Sequence, residues 1–315
     1  GNSRIVTSWF PTHERGFSSA VFNSAQYFAL AAFTPLMGWI LAGWGWQWVF
    51  YSMGVVGILL GFFWFAFVSD PATHPMVNRA EIDYIHSGGG LAGQSSGGSE
   101  IRLDYVRQML SSRMLIGVYI GQFGINTITW FFLTWFPTYL VQARGMSILK
   151  AGFMASIPAL LGFAGGLLGG YTSDWLLRRG SSLTVARKTP IILGMTLSSC
   201  IVLANYVTTE SLVIAVMSLA FFAKGFGALG WVVVSDTSPK EIVGLSGGIF
   251  NFAGNLASVV TPIVIGYILG VTQSFHWALV YVGMMGGLGA LSYLLIVGDI
   301  RRLELRKTEL PVAKP

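Results

Sequence analysis

The sequence predicts an all-α membrane protein with many spans, and three observations carry that prediction. Hydrophobic residues make up 53% of the 315, charged residues only 10%, and mean hydropathy is +0.65. A water-soluble domain carries about 25% charged residues, so this chain has too few to cover itself with an ordinary polar surface. Apolar stretches recur that match the roughly 20 residues needed to cross a bilayer. The basic residues gather in alternate loops, which is how cytoplasmic and external loops of membrane proteins differ.

Taken in order, the predicted spans are 17–41, 46–68, 113–141, 150–176, 189–208, 211–235, 245–270 and 275–298, and residues 1–10 (GNSRIVTSWF) read as the end of a ninth helix. Arg15, Arg79, Arg102, Arg107, Arg113, Arg178, Arg179, Arg187, Lys188, Lys240, Arg301, Arg302, Arg306, Lys307 and Lys314 fall on one side of these spans; only Arg144 and Lys150 fall on the other. That asymmetry puts the basic side, with the C-terminus, in the cytoplasm. It also accounts for the net charge of +6 and pI near 9.5 without nucleic acid. Trp44, Trp46 and Trp48 in the outer turn are interface anchors. The lone Cys200 excludes an internal disulfide framework and a cysteine metal cluster.

One long polar stretch, 70–112, divides the chain, and its GGGLAGQSSGGS run has the composition of a flexible coil. The expected organisation is therefore 1–69 as the remainder of a first helical bundle, 70–112 as a cytoplasmic linker, 113–300 as a six-helix bundle and 301–315 as a cytoplasmic tail.

An internal repeat explains why the first bundle reads as a remainder. Pro11, Gly16, Ser18, Phe22, Asn23 and Ala25 reappear 228 residues later as Pro239, Gly244, Ser246, Phe250, Asn251 and Ala253, and TPLMGWI (34–40) matches TPIVIGYI (261–268) after one residue of slippage. Each copy joins a basic loop to the following helix in the same orientation, the mark of a transporter whose halves are related by an axis along the membrane normal. The second copy begins near Arg113, and 113 − 228 = −115, so about 115 residues are expected before Gly1. The expected whole has six spans in each half, with about three and a half helices of the first bundle upstream.

Polar groups inside spans are costly and usually face a bundle interior or a cavity. Gln122, Asn126 and Thr129 share one helix face, as do Asn251, Asn255 and Ser258. Asn23, Gln26 and Tyr27 occupy the equivalent place in the first half, and Lys224, Ala228 and Trp231 form a fourth face. Amides beside an aromatic floor suit a polyhydroxylated ligand, because they both donate and accept hydrogen bonds. The competing assignment is that they stitch helices together. Lys224 lies mid-span, where a charge costs about 2.5–3.5 kcal/mol even on the lenient insertion scale; an anionic ligand or an acidic side chain would offset that. No His has a metal-like partner and no nucleophile motif or carboxylate pair is present, so neither a metal, a cofactor nor an enzymatic reaction is expected.

Twelve spans in two parallel halves with a central cytoplasmic loop resemble the major facilitator superfamily, and GGYTSDWLLRRG (169–180) resembles its loop signature, with Asp174, Arg178 and Arg179 latching helix ends. NSRIVTSWFP, FNSAQYFA, TWFFLTWFPTYL, VARKTPII, GWVVVSDTSPKEIVGLSGGIFN and TPIVIGY are similar to the anion:cation symporter family, most closely its bacterial hexarate and hexonate permeases. The resemblance implies proton-driven uptake of a sugar acid by alternating access across the bacterial inner membrane, by a monomer. In galactonate-transporting members, substrate-contacting positions match Gln26, Gln122, Trp231 and Asn251; Asn126 and Asn255 are further candidates, while Arg4 and Asn23 are expected to gate or pack. Those members carry a neutral amide where Lys224 stands, so Lys224 is expected to meet the second carboxylate of a hexarate. The family's coupling acids and substrate-carboxylate arginine are expected upstream of Gly1, without which the 315 residues alone are expected to be inactive. The alternatives are a permease for a hexonate, hexuronate or other organic anion, and a non-transporting sensor or scaffold.

Overall fold

The computed structural model describes residues 5, 8–11, 15–88, 103–238 and 243–303. The chain divides into two compact units, Gly1–Gly97 and Gly98–Pro315.

In the first unit, α1 (Arg15–Trp44) and α2 (Trp46–Phe67) form a hairpin that reverses at Gly45, whose φ of 91° favours a residue without a Cβ. Every side chain of α2 is at least partly exposed, including Phe50, Phe62, Phe63 and Phe65. A surface of this kind is a liability in water and an ordinary lipid face in a bilayer. Beyond α2, the indole of Trp9 donates to the Ser69 carbonyl at 3.1 Å and meets the His74 ring edge-on. The short α3 (Arg79–Ser87) follows, its first turn capped by Asn78, which accepts from the Glu81 amide at 2.8 Å.

The second unit opens with α4 (Leu103–Ser111). The segment 70–112, expected as a linker, thus contains two helices, one on each side of its Gly/Ser run. Their sequences are amphipathic, a local signal that the Gly/Ser content between them had masked; residues 89–102 lie outside the described residues. Six long helices follow: α5 (Arg113–Gln142), α6 (Ile148–Arg178), α7 (Leu183–Tyr206), α8 (Glu210–Thr237), α9 (Val243–Thr272) and α10 (His276–Ile296). With α2, seven helices among the described residues are long and apolar enough to cross a membrane. The predicted span 17–41 corresponds to α1.

Regularity breaks in four of them: α7 closes on a 3₁₀ segment, Ser199–Tyr206, and three others are interrupted as follows. A π turn spans Phe131–Trp135 in α5, a 3₁₀ turn spans Phe226–Leu229 in α8, and a second π turn, Ser292–Ile296, ends α10. Such breaks leave backbone groups to be satisfied otherwise, which membrane proteins allow where the segment is enclosed by protein. The repeat seen in sequence is visible in the helices: α1 and α9 are each 30 residues long and each holds one proline in its second half, Pro35 and Pro262.

Within the second unit, α5 is surrounded and α6 lies against α8. The latter pair approach so closely that a Cβ on Gly165 would stand 1.9 Å from the Phe222 carbonyl oxygen, and one on Gly225 would stand 2.5 Å from that of Gly162. Close backbone approach maximises van der Waals contact where lipid provides no hydrophobic drive between helices. Behind α5, the Tyr293 ring of α10 occupies the space beside Gly121, and Ser292 donates to the Gly117 carbonyl at 2.6 Å. The irregular end of α10 is held by side chains from its neighbours. Arg113 donates to the Leu295 carbonyl and Lys188 to that of Gly298, both at 2.9 Å.

Candidate functional site

The α5 amides meet α8 and α9 at two glycines. Gln122 is 7% exposed, and its Nε2 donates to Asn126 Oδ1 at 3.3 Å, the i,i+4 contact expected of one helix face. A Cβ on Gly230 of α8 would lie 2.9 Å from Gln122 Oε1; a Cβ on Gly254 of α9 would lie 2.6 Å from Asn126 Nδ2 and 3.0 Å from Gln122 Cγ. The missing side chains at Gly230 and Gly254 therefore make the seat for both amides. Thr129, on the same face, turns its hydroxyl back to the Ile125 carbonyl at 3.2 Å.

On α9 the Asn251–Asn255 face also forms. Asn255 Nδ2 donates to both the carbonyl and Oδ1 of Asn251 at 2.9 Å, and both side chains are exposed. Gly254 lies between them in sequence, so α9 presents a small residue to the α5 amides and keeps its own amides outward. Trp231, next to Gly230, is 40% exposed and meets Phe250 edge-on at 4.8 Å. Phe250 Cζ in turn would stand 3.1 Å from a Gly230 Cβ. Gln122, Asn126 and Trp231 are thus linked through Gly230 and Phe250, while Asn251 and Asn255 pair with each other on the exposed side of α9.

Lys224 departs from the expected face with Ala228 and Trp231. The 3₁₀ turn Phe226–Leu229 lies between them. A 3₁₀ turn advances about 120° per residue against 100° in an α-helix, so four such residues rotate Trp231 by about 80° relative to Lys224. Accordingly Trp231 is exposed, whereas Lys224 is only 3% exposed, with its Nζ 5.3 Å from the Phe221 ring centroid. Phe221 itself packs on Phe132 of α5 at 4.3 Å. Lys224 therefore sits beside an aromatic ring, its backbone about 11 Å along the α8 axis from that of Gly230, taking 1.5 Å and 2.0 Å rises for α and 3₁₀ steps.

At the α6–α7 end, Asp174 is engaged by Arg187 of α7, with the charged groups 3.3 Å apart. Arg187 also donates from Nε to Asp236 Oδ2 at 2.9 Å and from Nη1 to Ser173 Oγ at 2.8 Å. Arg178 is exposed in the last turn of α6, and Arg179 is exposed with its guanidinium 4.0 Å over the Trp175 ring. The latch expected of Asp174 with Arg178 and Arg179 is therefore built by Arg187, which ties α6, α7 and α8 together. Its signal in the sequence was a buried-segment arginine in VARKTPII, read there only as a basic loop residue.

Arg4 lies outside the described residues, and the side chains of Asn23 and Gln26 are likewise outside them. Among the described residues no group of three or more His, Cys, Asp or Glu is placed to hold a metal.

The sequence model of the Major Facilitator Superfamily matches residues 1–186. A "Probable galactarate/D-glucarate transporter" of Bacillus subtilis is 59% identical over 313 residues, covering 98% of this chain and 69% of that protein. One of the same description from Escherichia coli K12 is 55% identical, covering 97% of this chain and 69% of its own length. A "D-galactonate transporter" of Escherichia coli O6:H1 is 45% identical, covering 96% of this chain and 71% of its own.

Proposed function

The chain belongs to the major facilitator superfamily, a family of transporters rather than enzymes, and from that premise we propose that it imports a sugar acid, most specifically glucarate or galactarate, by proton-coupled alternating access. It does so as a monomer in the bacterial inner membrane, with its C-terminus in the cytoplasm. The observation that carries the substrate class is the pairing of two features in one bundle. An amide group built from Gln122 and Asn126, with Trp231 beside it and a second amide pair, Asn251 and Asn255, on α9, suits the hydroxyls of a sugar chain. Lys224 supplies a buried cation on α8, its backbone about 11 Å along the helix axis from that of Gly230. An extended six-carbon diacid spans roughly 8 Å between its terminal oxygens, given C–C bonds of about 1.5 Å. That length is comparable with the axial separation of the two features, which supports a diacid with one carboxylate toward Lys224 and its hydroxyls toward the amides. The described relatives named for galactarate and glucarate support the same substrate.

The relative named for galactonate favours a second reading, in which the substrate carries one carboxylate and Lys224 has a packing role. The test expresses the complete reading frame in cells or vesicles and follows uptake of labelled glucarate driven by an inward pH gradient. Competition by galactarate but not galactonate is expected, and Lys224→Gln should raise the KM for the diacid far more than for any monoacid. Equal competition by galactonate, with glucarate uptake unchanged in Lys224→Gln, would refute the diacid assignment. Uptake insensitive to the pH gradient would refute proton coupling.

A further inference from the structure

Two buried oxygens without hydrogen-bond partners among the described residues converge on Gly230. One is Gln122 Oε1 and the other is the hydroxyl of Tyr293, whose side chain is fully buried. A Cβ on Gly230 would lie 2.9 Å from the first and 3.6 Å from the second, so the two are no further apart than the sum of those distances. Buried polar groups without partners are rare in folded proteins and call for an explanation. The Tyr293 ring is fixed in the space beside Gly121, one residue before Gln122, and its backbone is held by the π turn that ends α10. The ring therefore has little freedom, whereas the Gln122 amide can turn about its last bond.

We propose that Tyr293 is a positioning residue for substrate binding, its hydroxyl donating to Gln122 Oε1 when the site is loaded and so fixing which end of the amide faces the ligand. The remaining geometry supports this direction. Nε2 already donates to Asn126 Oδ1, so the oxygen is the end that meets the hydroxyl. With Oε1 held by Tyr293, the second N–H of the amide is left to donate, as an anionic, oxygen-rich ligand requires. Gly230 completes the arrangement, because any side chain there displaces Oε1 from the hydroxyl. The inference rests on the reading of Gln122 as a substrate contact.

The test measures KM and maximal rate of glucarate uptake for Tyr293→Phe, Gln122→Ala, the double variant and Gly230→Ala, all in the complete reading frame, alongside surface expression and melting. Tyr293→Phe removes an unpartnered hydroxyl from a packed site, so its melting temperature should hold or rise. Its KM should rise about fivefold or more with maximal rate within about twofold, the size of effect expected from one hydrogen bond. Gly230→Ala should behave alike, and adding Tyr293→Phe to Gln122→Ala should change nothing further. An unchanged KM in Tyr293→Phe beside a raised KM in Gln122→Ala overturns the positioning role alone. So does an additive double variant. An unchanged KM in Gln122→Ala overturns both this inference and the substrate reading beneath it. A Tyr293→Phe protein that melts early assigns the hydroxyl to folding and also overturns the inference.

Discussion

Replacing Arg187 with Met tests whether the network joining α6, α7 and α8 is a structural tie or a surface ornament. The guanidinium, with only 12% of its side chain exposed, engages Asp236 at 2.9 Å, the fully buried Ser173 at 2.8 Å and Asp174 at 3.3 Å. Asp174 is 61% exposed, so its share is small after solvent screening. The Asp236 contact matters more: that carboxylate is 27% exposed and stands one residue from the end of α8. There the helix carbonyls carry partial negative charge, so without Arg187 the carboxylate faces a field of its own sign. Removing one partner of such a pair costs about 3–5 kcal/mol, which for a chain of this size corresponds to a fall in melting temperature on the order of 10 °C. Neutralising the stranded partner should recover part of the loss, so Arg187→Met with Asp236→Asn should melt above Arg187→Met alone. Arg187→Lys keeps the charge but loses the fork, and should fall between Arg187→Met and the parent. The assay is thermal unfolding of the purified protein in detergent, with glucarate uptake measured in parallel. Melting of Arg187→Met within about 2 °C of the parent, or an additive double variant, would show that the network carries no coupling energy.

Two further outcomes follow from packing and end-capping. A Cβ on Gly165 meets the backbone oxygen of Phe222 at 1.9 Å, and backbone cannot turn aside, so Gly165→Ala should separate α6 from α8 and lose most folded protein in a size-exclusion profile. Gly170, on the same helix with nothing within 4 Å, should accept alanine with no loss of folded protein, and equal behaviour of the two would refute the close-approach account. Arg144 donates to the Tyr139 hydroxyl at 2.8 Å, to the Val207 carbonyl at 2.8 Å and to the Ala204 carbonyl, so it caps the 3₁₀ end of α7 from the α5–α6 turn. Arg144→Ala should cost about 2–4 kcal/mol, given that it strands three acceptors. Removal of the exposed Lys150–Glu210 pair should cost under about 1 kcal/mol. Chemical or thermal denaturation that ranks the two the other way would contradict this assignment.

Hydropathy over a span-length window is a local property, and it sufficed for the fold class and for the long helices α2 and α5 to α10. The faces Gln122–Asn126 and Asn251–Asn255 were legible for the same reason, since i,i+4 spacing on an unbroken helix leaves no choice of side. Where the helix breaks, that logic fails. The 3₁₀ turn Phe226–Leu229 rotates Trp231 away from Lys224, and nothing in the run SLAFFAKGFGALGW marks where the period changes except its glycines. The two helices in 70–112 were missed because Gly and Ser between them dominated the composition.

What the sequence by itself determined is which residues lie in membrane helices and which polar side chains share a helix face, because both follow from the chain's own short-range period. Which side chains meet across helices was decided only in three dimensions. Asp174 binds Arg187 rather than the adjacent Arg178 and Arg179, because α7 carries Arg187 past the ends of α6 and α8. Gln122 meets two glycines from two other helices, because the absence of a Cβ at Gly230 and Gly254 lets α8 and α9 close on α5. A glycine's contribution is the space it leaves, and that space has no partner until the neighbouring helix arrives.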